Sequence, residues 1–330
     1  MNMPTNSSSG LAAVAEYDAA GRHSDAINLL ARATARGDAA AMSALGHRLL
    51  IGDRAPLLPA EAVRFLVDAS RLGDSTAQVR VAALTAGGVY LPQSWPEALR
   101  LLTMAASENP DAAEQLRVLE VMDLEAWLRR PQGENLHGIE QIRRYPGLMP
   151  KVASDWLIDT ARGRLQRALV YDQATGQNTT SVTRSNTAAT FNLAEAGVLH
   201  FLLQARMSSA CGRPSNHMEA PAVLHYAVGE QITDHYDFVD PQSPNYLQHI
   251  REHGQRMATF LMYLNDDFEG GATDFPHFGV RQEAVLGMGL CFLNALPDGQ
   301  PDTRMLHAGL PPLRGEKWIV SQFIRSRPWA

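Results

Sequence analysis

The sequence predicts an α+β chain: an N-terminal α-solenoid of helical repeats, then a β-rich domain of sandwich or jelly-roll type with flanking helices. Two observations carry this. An alanine- and leucine-rich helical motif returns at a fixed offset through the first third of the chain, and a helix pair of that length cannot bury its own apolar face without stacked neighbours. From about Leu148 the character changes to short β-rich runs bounded by Gly, Pro and Asn. The length, 330 residues, suits two domains.

Residues 1–10, MNMPTNSSSG, are polar and expected to be disordered. Residues 11–125 hold about three repeats. DAINLLARATARGD starts at Asp25, EAVRFLVDASRLGD at Glu61 and EALRLLTMAASENP at Glu97, an offset of 36 residues both times. Ala26, Ala62 and Ala98 align, as do Leu30, Leu66 and Leu102. Gly37 and Gly73 fall at the helix end with Asn109 in the third copy, and Gly and Asn are the residues that accept a left-handed C-cap. A second helix follows each glycine. The register resembles the Sel-like repeats of the tetratricopeptide superfamily.

Residues 126–147, with PQGEN and YPG, read as a connector, and the charges of QIRRY and TARGR as a solvated helix face. Residues 148–330 form the second domain. MPKVASDWLIDTARGRLQRALVYD reads as helix, after which AVLHYAVG, HYDFVD, RMATFLMYLND, AVLGMGLCFLNAL and KWIVSQFIRSR read as strands.

The net charge of −6 argues against a broad nucleic-acid surface. No stretch is apolar enough to span a bilayer. Cys211 and Cys291 form no Cys-x-x-Cys pair. With a polar N-terminus lacking a signal-peptide core, a cytoplasmic, reducing location is expected.

Chemistry concentrates around TDHYDFVD. In a strand, residues i and i+2 share a side, so His235 and Asp237 project together and Tyr236 faces away. A third ligand would complete a 2-His-1-carboxylate face, which holds iron(II) and leaves positions open. The pair alone is weak, because His23-Ser24-Asp25 repeats it where Asp25 reads as a first-turn acid. His307 is the candidate third ligand. In the final run Lys317, Ile319, Ser321, Phe323 and Arg325 share one face. A lysine on such a face needs a partner when buried, and an anionic cosubstrate would supply one.

From about Val182 the chain resembles the catalytic domain of the prolyl 4-hydroxylase type of iron(II)/2-oxoglutarate dioxygenases. The matching stretches are LHYAVGEQITDHYDFVD, GQRMATFLMYLNDDFEGGATDFP, the run from Ala284 to Arg325, and TRSNTAATF. The resemblance implies a double-stranded β-helix (jelly-roll) oxygenase domain with iron inside. It puts the iron ligands, and hence the catalytic residues, at His235, Asp237 and His307. It places the 2-oxoglutarate contacts at Lys317, Tyr226, Thr273 and Tyr263, and the peptide side at Arg184, Arg256, Phe323 and Arg325. Fe(II), with 2-oxoglutarate and O2 as cosubstrates and ascorbate in support, would hydroxylate a side chain, prolyl first, of a protein or peptide, releasing succinate and carbon dioxide. Phe323, where many relatives have tryptophan, and Asn186, where serine is usual, depart from the pattern on the substrate side. His217, His225, His249, His253 and His277 read as structural or surface residues.

Three other readings stay open: an oxygenase for a free amino acid or small molecule, a non-catalytic repeat-based adaptor, and a zinc hydrolase on the same triad. The last would leave Lys317, Tyr226 and Thr273 without a purpose. The repeats suit capture of a substrate polypeptide or formation of a homo-oligomer; no nucleic-acid or membrane partner is expected.

Overall fold

The computed structural model describes residues 7–172, 177–242 and 244–329. The chain divides into two units. One runs to Val121 and includes Asn192–Leu202; the other comprises Met122–Phe191 and Leu203–Ala330.

The first unit is built on α1 (Ser7–Ala19), α2 (His23–Ala35), α3 (Ala39–Ile51), α4 (Pro59–Arg71), α5 (Ser75–Gly87), α6 (Trp95–Ala105) and α7 (Pro110–Glu120). Helix α1 starts inside the stretch expected to be disordered; residues 1–6 of that stretch lie outside the described residues. The repeat register reappears in the packing. Ala26, Ala62 and Ala98 are buried, and so are Leu30, Leu66 and Leu102. Small side chains at such positions set how closely helices pack. Asp38 and Asp74, one repeat apart, cap α3 and α5 by accepting from the Ala41 and Ala77 N–H groups at 3.0 and 2.7 Å.

The helix ends correct one expectation. Gly37 and Gly73 have φ of +85° and +93°, left-handed as expected. Asn109 does not follow them: its φ is −119° and its side chain caps α7, accepting from Ala112 N–H at 3.1 Å. Pro110 comes next, and the residue before a proline is driven to extended backbone.

The remaining elements, in chain order, are α8 (Leu124–Leu128), β1 (Glu134–Leu136), β2 (Ile139–Tyr145), α9 (Lys151–Arg162), β3 (Gln166–Arg167), β4 (Val170–Asp172), β5 (Gln177–Thr179), β6 (Thr187–Thr190) and α10 (Val198–Cys211). Then come β7 (Ala222–Tyr226), β8 (Ile232–His235), α11 (Pro244–His253), β9 (Arg256–Tyr263), β10 (Glu269–Gly270), β11 (Thr273–Phe275), β12 (Val280–Gln282), β13 (Gly289–Leu293), β14 (His307–Gly309), β15 (Pro312–Arg314) and β16 (Lys317–Arg325).

An eight-stranded sheet has the order β1-β2-β13-β9-β16-β7-β6-β3, and a four-stranded sheet the order β12-β11-β14-β8. Both are antiparallel throughout their named ladders. One hydrophobic core joins them, drawing Leu224, Leu261 and Phe292 from the larger sheet and Phe275 from the smaller.

Two expectations for the second unit are corrected. The stretch read as a connector contains β1 and β2, which extend the large sheet through β2 against β13. QIRRY is therefore strand, not a helix face. Ile142 and Tyr145 are its buried residues. Three apart in a regular ladder with β13, they face opposite sides of the sheet, Ile142 in the core between the sheets and Tyr145 against Phe260 with its hydroxyl on Ala210 O. The hairpin turns on His137 and Gly138, both with positive φ, as a two-residue turn between twisted strands requires. Secondly, the helix expected through Asp172 ends at Arg162. Gly163, the weakest helix former apart from proline, follows, and the chain turns into β3 and β4.

Candidate metal centre

Pairing of β8 with β14 sets His235 directly opposite His307. Two histidines far apart in sequence thus become cross-strand neighbours, their ring centroids 4.2 Å apart. Asp237 lies just past the end of β8, and its carboxylate folds back between them. Oδ1 is 3.5 Å from His235 Nε2, and Oδ2 is 3.3 Å from His307 Nε2. The donor atoms of the three lie within 4.8 Å of one another, the one such group of three or more among the described residues. Tyr236 turns outward, 40 % exposed.

The backbone fixes the tautomers. His235 Nδ1 is 2.8 Å from Thr233 O, and His307 Nδ1 is 3.0 Å from Met305 O. A carbonyl can only accept, so Nδ1 carries the proton on each ring and the Nε2 lone pair faces the shared centre. Phe292 stands edge-on to His307, with ring centroids 4.6 Å apart. Burial alone would raise the pKa of Asp237; the two histidines outweigh it and hold the carboxyl well below its usual range. Burial would lower His307, and the Asp237 charge reverses that. Two imidazoles presenting Nε2 and one ionised carboxylate, leaving other positions open, are a donor set that fits iron(II).

The opposite wall belongs to the large sheet. Lys317 pairs in register with Tyr226 across β16 and β7. Lys317 is fully buried, and its Nζ donates to Gly271 O at 2.7 Å and lies 4.9 Å from the Tyr226 ring centroid. No carboxylate of the described residues pairs with it, and burial lowers its pKa to about 7. Tyr263 and Thr273 join the two sheets through a 2.7 Å hydrogen bond between their hydroxyls. Burial raises both Tyr226 and Tyr263 above their ordinary pKa.

A cavity of about 1160 Å³ runs from this wall past the triad. All five residues expected on one face of the last strand line it: Lys317, Ile319, Ser321, Phe323 and Arg325. Arg184 and Arg256 line it as well. Arg256 stacks on Phe323, 3.6 Å from the ring centroid, and forms a two-point ion pair with Glu219 at 2.8 and 3.0 Å. Arg325 is 1 % exposed and committed to Glu219, Gly254 O and His249 Nε2, each at 2.7 Å. Arg184 holds Asn186 Oδ1 at 3.3 Å. His225, on the other side of its strand from Tyr226, meets Glu316 at 2.8 Å instead.

Sequence reasoning missed Glu219, which ties Arg256 to Arg325, and His249, which it treated as peripheral. Neither falls in a periodic pattern that marks it. It also passed over Thr259 and Asn294, which reach Asp237 in series. Thr259 lies inside a stretch quoted for the resemblance.

Comparison with known proteins gives the class first. The profile of the 2OG-Fe(II) oxygenase superfamily matches residues 221–325. Prolyl 4-hydroxylase subunit alpha-1 of Gallus gallus is 32% identical over 180 residues, which are 53% of this chain and 34% of that protein. Probable prolyl 4-hydroxylase 10 of Arabidopsis thaliana is 30% identical over 201 residues, 55% of this chain and 67% of that protein. The crystal structure of a viral collagen prolyl hydroxylase from Paramecium Bursaria Chlorella virus-1, with 2OG, is 24% identical at a TM-score of 0.45, over 57% of this chain and 97% of that one. The chain belongs to the prolyl 4-hydroxylase group of the 2OG-Fe(II) oxygenase superfamily. It spans about a third of the length of the animal alpha subunit it matches.

Proposed function

We propose that this protein is an iron(II)- and 2-oxoglutarate-dependent dioxygenase that hydroxylates a side chain, prolyl in the first instance, of a protein or peptide. One observation carries the reading: three ligand atoms converge in the same cavity as a buried lysine that has no carboxylate partner among the described residues. A zinc hydrolase would use the first feature and leave the second unexplained.

His235, Asp237 and His307 would hold the metal, which when bound supplies the oxygen-activating chemistry. Lys317 would receive the far carboxylate of 2-oxoglutarate, a charge-assisted contact strengthened by its dry surroundings. Tyr226 adds a hydroxyl beside it, and the Tyr263 hydrogen bond holds the Thr273 hydroxyl in place for the same carboxylate. Arg184, Arg256 and Phe323 are assigned to the substrate side. Arg256, 27 % exposed in its side chain, keeps an open edge, whereas Arg325 at 1 % is assigned to supporting it through Glu219. Succinate and carbon dioxide are the expected co-products, and ascorbate the expected supporting reductant. The names of the relatives support a prolyl target. Helical repeats suit extended polypeptides, so the helical unit is assigned to holding the substrate chain or a second copy of this protein. A cytoplasmic location is part of this reading, and the neighbouring thiols of Cys211 and Cys291 are taken as reduced there.

The test is succinate release with iron(II), ascorbate and 2-oxoglutarate. Proline-containing peptides should stimulate it, and longer ones more than free proline. Equal stimulation by a free amino acid would move the assignment to a small-molecule oxygenase; no succinate under any condition would favour an adaptor.

A further inference from the structure

We propose that Thr259, backed by Asn294, is a positioning residue that reserves one oxygen of Asp237 for the metal. The Thr259 hydroxyl donates to Asp237 Oδ2 at 2.7 Å, and Asn294 Nδ2 donates to the Thr259 oxygen at 2.8 Å. Thr259 and Asn294 are each 1 % exposed, so no solvent competes for these groups. Asn294 is itself fixed. Its backbone N–H donates to Met257 O at 2.9 Å, and its carbonyl accepts from Asp302 N–H at 3.0 Å.

The chain of donors runs one way. An ionised carboxylate only accepts, so the single hydroxyl hydrogen of Thr259 goes to Asp237. The threonine lone pairs are then left to take the asparagine N–H. The opposite amide orientation would set two acceptors, Asn294 Oδ1 and Asp237 Oδ2, on one hydrogen. The relay therefore supports the ionised carboxylate and pins Oδ2, leaving Oδ1 as the oxygen not engaged by a hydroxyl. A carboxylate free to turn would offer both oxygens to the metal and fill a position that the cosubstrate needs. Burial adds a penalty for breaking the relay, because a valine at 259 leaves a buried acceptor and a buried N–H unmade. Partners that orient metal ligands in this manner change metal affinity when removed.

The inference rests on the assignment of a metal to the triad, and the experiment separates the two. Manganese(II) binding to the ligand-free full-length protein is titrated by electron paramagnetic resonance for wild type, Thr259→Val, Thr259→Ser and Asn294→Ala. Cobalt(II) absorption spectra and melting curves are taken alongside. Thr259→Val should bind manganese(II) about 10- to 100-fold more weakly and shift the cobalt(II) bands, while Thr259→Ser, which keeps the donor, should stay within about twofold of wild type. Asn294→Ala should move affinity and spectrum in the same direction by less, and it carries the test if Thr259→Val does not fold. Wild-type affinity and spectrum in both Thr259→Val and Asn294→Ala overturn the relay. An equal loss in Thr259→Ser and Thr259→Val overturns it too, by making the site one of packing. Failure of wild type to bind either metal instead sinks the assignment of the triad and leaves the threonine with nothing to position.

Discussion

Two desolvated cations mark the difference between the two units. In the helical unit, Arg80 gives its guanidinium to the carbonyls of Leu193 and Ala196 at 2.9 and 2.6 Å. Burial lowers its pKa, the charges of Asp111 and Glu195 oppose the drop, and it settles at about 10. In the β unit, Lys317 donates to one carbonyl, Gly271 O, and burial takes it to about 7 with only Glu283 pulling the other way. A cation whose partners the chain itself supplies belongs to the fold. A cation buried short of a partner is stable only at a free-energy cost, and such groups gather where ligands bind.

Replacing each cation by methionine sharpens the contrast. The larger effect is expected at Lys317. Loss of its charge-assisted contact should raise the KM for 2-oxoglutarate roughly 10- to 100-fold, measured by succinate release. The same variant should make the ligand-free protein more stable, and the sign follows from linkage. The folded-state pKa of Lys317 is depressed, so the unfolded chain holds the proton between about 7 and 10.5. Wild-type stability therefore rises with pH through that window. The gain from methionine is full below about pH 7 and fades as pH approaches 10.5. A KM unchanged, or a ligand-free variant less stable at neutral pH, would make Lys317 a structural cation like Arg80.

The smaller effect is expected at Arg80. Methionine there strands the Leu193 and Ala196 carbonyls, worth about 1–3 kcal/mol, and should lower the melting temperature by several degrees at every pH below 10. The KM for 2-oxoglutarate should stay at the wild-type value. A rise in KM comparable to that of the Lys317 variant would erase the distinction.

Much of this was legible in the residues. Of the positions the repeat offset aligns, Ala26, Ala62, Ala98, Leu30, Leu66 and Leu102 are all buried, because close helix packing admits only small or well-matched side chains there. In the third aligned set Ala69 and Ala105 are buried and Ala33, in the first repeat, only partly so. The alternation of the last strand put five residues on one face, because successive strand residues point to opposite faces, and that face lines the cavity. His235 and His307 could be nominated by pattern, but their facing each other is a matter of register between β8 and β14, which no local run encodes. Asn109 was misread because its role depends on the proline after it. The β1–β2 hairpin was misread because its turn rests on His137 at positive φ, where a Gly or Asn would have signalled it. Glu219 and Asn294 were invisible for a related reason: each acts through a hydrogen bond to a strand distant in sequence.

The most direct measurement is an anaerobic titration of the full-length protein with iron(II) in the presence of 2-oxoglutarate, followed by the charge-transfer absorption that a chelated keto acid gives on ferrous iron. The wild type should develop the band and saturate at about one iron per chain, and Asp237→Ala should develop none while melting within about 3 °C of wild type. A band of full intensity in the folded Asp237→Ala variant, or none in the wild type, would contradict a ferrous site at His235, Asp237 and His307.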